Sequence, residues 1–147
     1  MPNYSIKEPE NDEEWESYLL FRWEKLRKPL GMSKDSLADS IEDESFHLMG
    51  LDEDKSVIAS GRVHFNSLYE AQIRYMAVDD NYKRMGIGSD IVNKLEEYAL
   101  AKGASIMVLN AREKAISFYL SLGYYELGPY QSDTGIPHKT MRKRLSN

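Results

Sequence analysis

Apolar and polar positions along the chain switch repeatedly between the period of a strand and the period of a helix, and the switches divide it into a series of elements. Residues 3–7 predict a first strand. Asn11 with Glu14 has the form of a capping box, opening a helix with Trp15, Tyr18, Leu19, Arg22 and Leu26 on one side, and Pro29 and Gly31 end it. Residues 33–44 predict a shorter helix whose narrow apolar face, Leu37 and Ile41, is surrounded by Asp35, Asp39, Glu42, Asp43 and Glu44. Residues 46–51 and 56–65 then predict a hairpin around Asp52-Glu53-Asp54-Lys55.

After a turn at Asn66-Ser67, residues 71–78 predict a further strand. Ile87, Ile91, Leu95, Tyr98 and Ala99 form one stripe of a helix that Gly103 stops. Residues 105–110 have the apolar run of a central parallel strand covered on both faces. A helix over 113–122, a strand over 124–127, a turn-rich loop over 128–135 and a last strand over 138–145 complete the series. The order predicts one α/β domain spanning residues 1–147, a mixed β-sheet with helices on both faces and a right-handed crossover before the Ile87 helix.

The strand-to-helix junction in the middle of that crossover carries chemistry. Tyr75-Met76-Ala77-Val78 leads through Asp79-Asp80-Asn81-Tyr82 into Lys83-Arg84-Met85-Gly86-Ile87-Gly88-Ser89. Glycines in such a turn let the backbone approach a pyrophosphate, and the free N–H groups at the positive end of the helix stabilise its charge. Lys83 and Arg84 add positive charge beside it.

Composition narrows the reading. A chain of 147 residues suits one domain with a substantial core, and 41% hydrophobic with 29% charged residues describes a folded globular protein. A net charge of −5 opposes nucleic acid as a partner while leaving room for a local basic groove. Without cysteine there is no disulfide, thiol nucleophile or thiolate metal site, and His47, His64 and His138 lack metal-ligand spacing, so no metal is expected. The N-terminus lacks a signal-peptide core and no stretch is apolar enough to cross a bilayer, which predicts a cytoplasmic protein with no membrane partner.

Two ordered blocks, Lys83-Arg84-Met85-Gly86-Ile87-Gly88 and Ala115-Ile116-Ser117-Phe118-Tyr119-Leu120-Ser121-Leu122-Gly123-Tyr124, resemble the signatures of the GNAT superfamily of N-acetyltransferases. That family's cofactor loop follows a strand as Gln/Arg-x-x-Gly-x-Gly/Ala, and its later helix ends in Tyr-x-x-x-Gly-aromatic. The likeness follows the element order of the whole chain, with its motif strength in residues 74–128. It implies a GNAT-like mixed sheet with splayed central parallel strands, acetyl-CoA as cofactor, and direct transfer of acetyl to a primary amine of a small molecule or peptide. It also implies main-chain cofactor contacts at Met76, Ala77 and Val78, with an N–H of that triplet, Ala77 foremost, as the oxyanion donor. Lys83, Arg84, Met85, Gly86, Ile87, Gly88 and Ser89 would hold the phosphates, Asn110 and Arg112 would touch the cofactor, and Tyr119 would protonate the departing thiolate.

Glu70, His64, Glu126 and His138 qualify by type as the base for the amine. His138, which follows Gly135-Ile136-Pro137 at the start of the last strand, is placed first. The acidic residues between 35 and 54 are expected to form a solvated face, with steering of a cationic amine as their other use. A non-catalytic acetyl-CoA-binding sensor or interaction module is the rival reading. A dinucleotide-binding oxidoreductase is disfavoured, because the third glycine of its fingerprint falls on Ile91 and the loop lies in mid-chain. The acceptor, the acyl length and the oligomeric state, a homodimer included, are open at this level.

Overall fold

The computed structural model describes residues 3–146. The alternating segments become seven strands: β1 (Ser5–Lys7), β2 (Phe46–Leu51), β3 (Val57–Phe65), β4 (Glu70–Val78), β5 (Ile106–Arg112), β6 (Tyr125–Gln131) and β7 (Pro137–Arg144). They form one sheet in the order β1-β2-β3-β4-β5-β7-β6. Every neighbouring pair is antiparallel except β4 and β5. The parallel pair needs a crossover, and α2 (Ile87–Ala101) supplies it.

The other helices are α1 (Asp12–Leu26) and α3 (Ile116–Ser121). Asn11 caps α1 by accepting the Glu14 N–H at 2.8 Å, while the Glu14 carboxylate accepts the N–H of Glu10 at 2.9 Å. Alternation along β2 separates the two layers. Leu48 belongs to the core beneath α2 with Ile87, Ile91, Leu95 and Met107, whereas Met49 and Leu51 pack with Tyr18 of α1 on the opposite face. Tyr119 of α3 joins the α2 side.

Three expectations are corrected and one, for β5, is narrowed. Residues 33–44 do not form a helix but two 3-10 turns, Lys34–Leu37 and Glu42–Glu44. Asp39 accepts the Ile41 N–H at 3.2 Å, a local bond that competes with the helical ladder, and of the two apolar residues only Leu37 is buried. Leu19 is exposed, because α1 presents Tyr18, Phe21 and Arg22 to the sheet. β5 is parallel to β4 over only three residues and antiparallel to β7 along its whole length. β6 runs on to Gln131 through Gly128 and Pro129, where a loop is expected. It is an edge strand, where a proline without an N–H is tolerated.

Gly61 shows how tightly the α2 face is filled. A Cβ there would stand 2.7 Å from both Ile91 Cγ2 and Met76 Sδ. Gly61→Ala is expected to destabilise the fold by about 1–3 kcal/mol through overpacking, read as a lower urea midpoint at unchanged m-value.

Candidate active site

The site begins with an irregularity in β4. Ser60 faces Ala77 and Arg62 faces Arg74, so Gly61 alone stands opposite both Tyr75 and Met76. Tyr75 takes up the extra length with a left-handed backbone, φ 58°. Its carbonyl accepts the buried Ser60 hydroxyl at 2.8 Å. All described peptides are trans, and in a trans peptide the carbonyl and the following N–H point opposite ways. The N–H of Met76 therefore points away from β3, toward β5.

Pairing between β4 and β5 ends at Gln72 and Val108. Beyond it the strands part, leaving Ile73 to Val78 on one side and Leu109 to Arg112 on the other without ladder partners between them. The Asp79 N–H bonds to the Ile58 carbonyl at 2.8 Å. Alternation then turns Val78 toward the opening and Ala77 toward Ser60. The backbone thus presents the N–H groups of Met76 and Val78 to the gap, while that of Ala77, the expected donor, faces β3.

Below the gap, Asp79 caps a short turn through Asn81 N–H at 3.0 Å. Arg84 and Gly86 have left-handed backbones, φ 66° and 91°, on either side of Met85. Such alternation gathers successive N–H groups into an anion-binding hollow, which here opens directly into α2, whose N-terminus carries positive partial charge. Among the described residues beyond its own turn, a Cβ built on Gly86 would meet just the Tyr4 hydroxyl, at 3.8 Å, so this glycine answers to backbone conformation rather than crowding. Gly88 answers to space, with Phe118 and Val78 at 3.3 and 3.4 Å from a built Cβ. Lys83 is exposed and pairs with Asp80 at 2.9 Å.

On the α1 face, Tyr75 is ringed by cations. The guanidinium carbons of Arg22, Arg74, Arg62 and Arg27 lie 4.1, 4.7, 4.8 and 5.8 Å from its ring centroid. Arg22 and Arg62 are fully buried. Glu42 holds Arg22 at 3.1 Å, while Asp39 and Glu42 hold Arg62 at 2.9 and 3.0 Å. Two of the acidic residues expected on a solvated face therefore neutralise buried arginines, and Arg62 in turn, among other effects of its site, lowers the Asp39 pKa against the opposing pull of burial.

The base candidates separate clearly. His64 accepts from Arg62 on Nδ1 at 3.2 Å and meets Asn66 Oδ1 through Nε2 at 3.1 Å, which occupies both ring nitrogens. Burial, and then Arg62, lower its pKa and keep it neutral. Glu70 holds Asn66 at 2.9 Å beside the paired end of β4, and Glu126 pairs with Lys139 at 2.9 Å. His138 sits across from Arg112, beside the parted half of β5. Its Nδ1–H donates to the Ile136 carbonyl at 2.7 Å, which leaves the Nε2 lone pair as an acceptor. A cavity of about 180 Å³ lined by Tyr130, Gln131, Ser132, Gly135, Ile136 and Pro137 adjoins it in the chain.

Asn110 and Arg112 turn to the α1 face of β5, alternating with the buried Leu109 and Ala111. Asn110 accepts from the Thr140 hydroxyl at 2.7 Å, and Arg112 donates to the Leu26 carbonyl at the end of α1 at 3.1 Å. Tyr119 is buried against Phe118 and Tyr124, with ring centroids 5.0 and 5.7 Å away. Burial raises its pKa well above that of a free phenol, so it is protonated throughout the neutral range. The parts that sequence reasoning missed are Ser60, which orients the bulge, and Arg27. Neither lies in a motif, and only three-dimensional pairing brings them to Tyr75.

A parallel strand pair that parts above an anion-binding turn is the architecture of an N-acetyltransferase fold, and known proteins agree. The family described as Acetyltransferase (GNAT) domain matches residues 21–145. Bacillus subtilis YjcF, described as an uncharacterized N-acetyltransferase, is 31% identical over 134 residues, covering 90% of this chain and 94% of its own. A GNAT-family acetyltransferase from Staphylococcus aureus Mu50 superposes with a TM-score of 0.80 at 16% identity, covering 98% of this chain and all of that one. An aminoglycoside 6'-N-acetyltransferase complexed with coenzyme A superposes at 0.78 with 14% identity, covering 97% and 98%. The chain belongs to the GNAT acetyltransferase family and is an N-acetyltransferase. Among the described residues no helix is long and apolar enough to cross a membrane.

The turn gives a direct test. Gly86→Ala forces a side chain into a left-handed backbone at a cost of about 1–2 kcal/mol, and is expected to weaken coenzyme A binding about tenfold or more by calorimetric titration. Unchanged affinity would remove the turn from the binding site.

Proposed function

We propose that this chain transfers an acetyl group from acetyl-CoA directly to a primary amine of a small molecule or peptide. The observation that carries the reading is the unpaired half of β4 and β5, with the Met76 N–H turned into it by the Ser60 bond to the Tyr75 carbonyl. The residues fit the coenzyme. The 83–89 turn offers N–H groups and a helix N-terminus to phosphates, and the parted strands offer main-chain partners at Met76 and Val78 to an amide-bearing arm.

Acetyl-CoA, when bound, supplies the activated acyl group and the sulfur that departs. The Met76 N–H takes the role first expected of Ala77, donating to the acyl oxygen as negative charge develops there. Such a preorganised donor contributes about 3–4 kcal/mol in other acyl-transfer enzymes. His138 Nε2 accepts the proton of the attacking amine, its Nδ1–H being fixed on Ile136. Tyr119 donates a hydrogen bond to the sulfur. Its raised pKa makes full proton transfer to a thiolate, whose own pKa is about 8.5 for an ordinary thiol, the harder course. Asn110, fixed by Thr140, borders the same gap from β5. A reducing cytoplasm suits a chain without cysteine.

The test is release of free coenzyme A from acetyl-CoA against a panel of amines. Amine-dependent release is expected, with Tyr119→Phe lowering turnover by about tenfold or more at similar acetyl-CoA KM. Binding of acetyl-CoA with no amine-dependent release by the wild type would overturn the catalytic reading, and full turnover in a folded Tyr119→Phe variant would remove that side chain from the mechanism.

A further inference from the structure

The four guanidiniums around Tyr75 outnumber the two carboxylates that face them. Asp39 and Glu42 hold the two fully buried arginines, and Arg74 reaches Asp39 only at 3.5 Å. Arg27 and Arg112 have no carboxylate within 4.0 Å among the described residues. Arg27 is 9% exposed, and its Nε has no hydrogen-bond partner. Arg27 Nη1 and Arg112 Nη2 instead donate to the same oxygen, the carbonyl of Leu26, each at 3.1 Å.

Two like charges converging on one neutral carbonyl is a costly arrangement in a half-buried site. Burial lowers both guanidinium pKa values, and for Arg27 the proximity of Arg112 adds to the effect. The C-terminal end of α1 offsets only about half an elementary charge. A planar fork of N–H donors with no anion of its own matches a carboxylate or a phosphate.

The position of the pair says which ligand brings that anion. The phosphate turn opens α2, whereas Leu26 ends α1 on the opposite face of the sheet. Arg112, Asn110, Thr140 and His138 share the α1 face through their register on β5 and β7. An anion held at Leu26 thus approaches from the side of His138 and not from the side of the coenzyme phosphates. We propose that Arg27 and Arg112 form a clamp for an anionic group, carboxylate or phosphate, carried by the acceptor amine. The clamp rests on the acetyltransferase reading for its substrate, and it explains why a protein of net charge −5 keeps a buried and a half-buried arginine side by side without a carboxylate.

A first measurement needs no turnover. The protein saturated with coenzyme A, so that the phosphate turn is filled, is heated with inorganic phosphate or acetate and, as control, with sodium chloride at equal ionic strength. Phosphate or acetate is expected to raise the unfolding midpoint by a few degrees beyond the chloride control, and the increment is expected to vanish in Arg27→Gln and Arg112→Gln. Equal midpoints in all salts for the wild type would overturn the clamp, whether or not the variants fold.

A second arm distinguishes the two anions and reads the acceptor. Thiol release is compared for glycine against glycinamide and for phosphoethanolamine against ethanolamine. The wild type is expected to favour one anionic member by about tenfold or more in kcat/KM, through KM, with the preference lost in Arg112→Gln and retained in Arg27→Lys. Preference for the neutral members, or a rise in the acetyl-CoA KM of the arginine variants, would overturn the assignment. Absence of release with every amine would count against the proposed reaction, while the phosphate and acetate arm would still decide the clamp.

Discussion

One hydrogen bond, from the buried Ser60 hydroxyl to the carbonyl of Tyr75, fixes the geometry on which the site depends. It sits where β4 carries one residue too many for β3, and it decides which way the surplus peptide faces. With the carbonyl drawn toward β3, the Met76 N–H turns into the gap. A left-handed tyrosine costs about 1–2 kcal/mol relative to a relaxed strand residue. A buried hydrogen bond of about 1 kcal/mol and cation–π contacts of about 0.5–2 kcal/mol each are enough to offset that cost, and four guanidiniums approach the ring.

The two faces of the sheet divide the work. The α2 face is apolar and close-packed, with Ile87, Ile91 and Leu95 filling the space above Gly50 and Gly61. That packing sets the start of α2 and with it the turn proposed to receive phosphates. The α1 face is polar and charged, holding Arg22 and Arg62 in a network with Asp39, Glu42 and His64. Such a network contributes little net stability, because desolvation opposes the attraction. Its value lies in keeping several cations beside Tyr75 in one arrangement. The gap between β4 and β5 joins the faces, so in the proposed reaction coenzyme and acceptor meet from opposite sides.

Much of this was legible in the chain itself. The Ile87 to Ala99 stripe and the Gly86-Ile87-Gly88 turn announced the crossover helix, and β2 falls at residues 46–51 as its pattern predicts. Local signals sufficed there because the cause is local: a period, a cap, a glycine. Residues 33–44 misled because two of their carboxylates, Asp39 and Glu42, answer to Arg22 and Arg62, distant in sequence. Which of Ala77 and Met76 turns its N–H to the gap was illegible for a similar reason. It depends on a one-residue register shift against Gly61, which no alternation within β4 reveals. Ser60, Arg27 and the convergence of Arg112 on Leu26 likewise exist only once strands and helix are assembled.

The most direct measurement is a crystal structure of the protein with coenzyme A bound. The account predicts the pantetheine arm between Met76 and Val78 on one side and Leu109 to Arg112 on the other, main-chain bonded to β4, with the diphosphate on the N–H groups of 83–89. β4 and β5 paired continuously past Gln72 and Val108, or coenzyme seated elsewhere on the sheet, would contradict it.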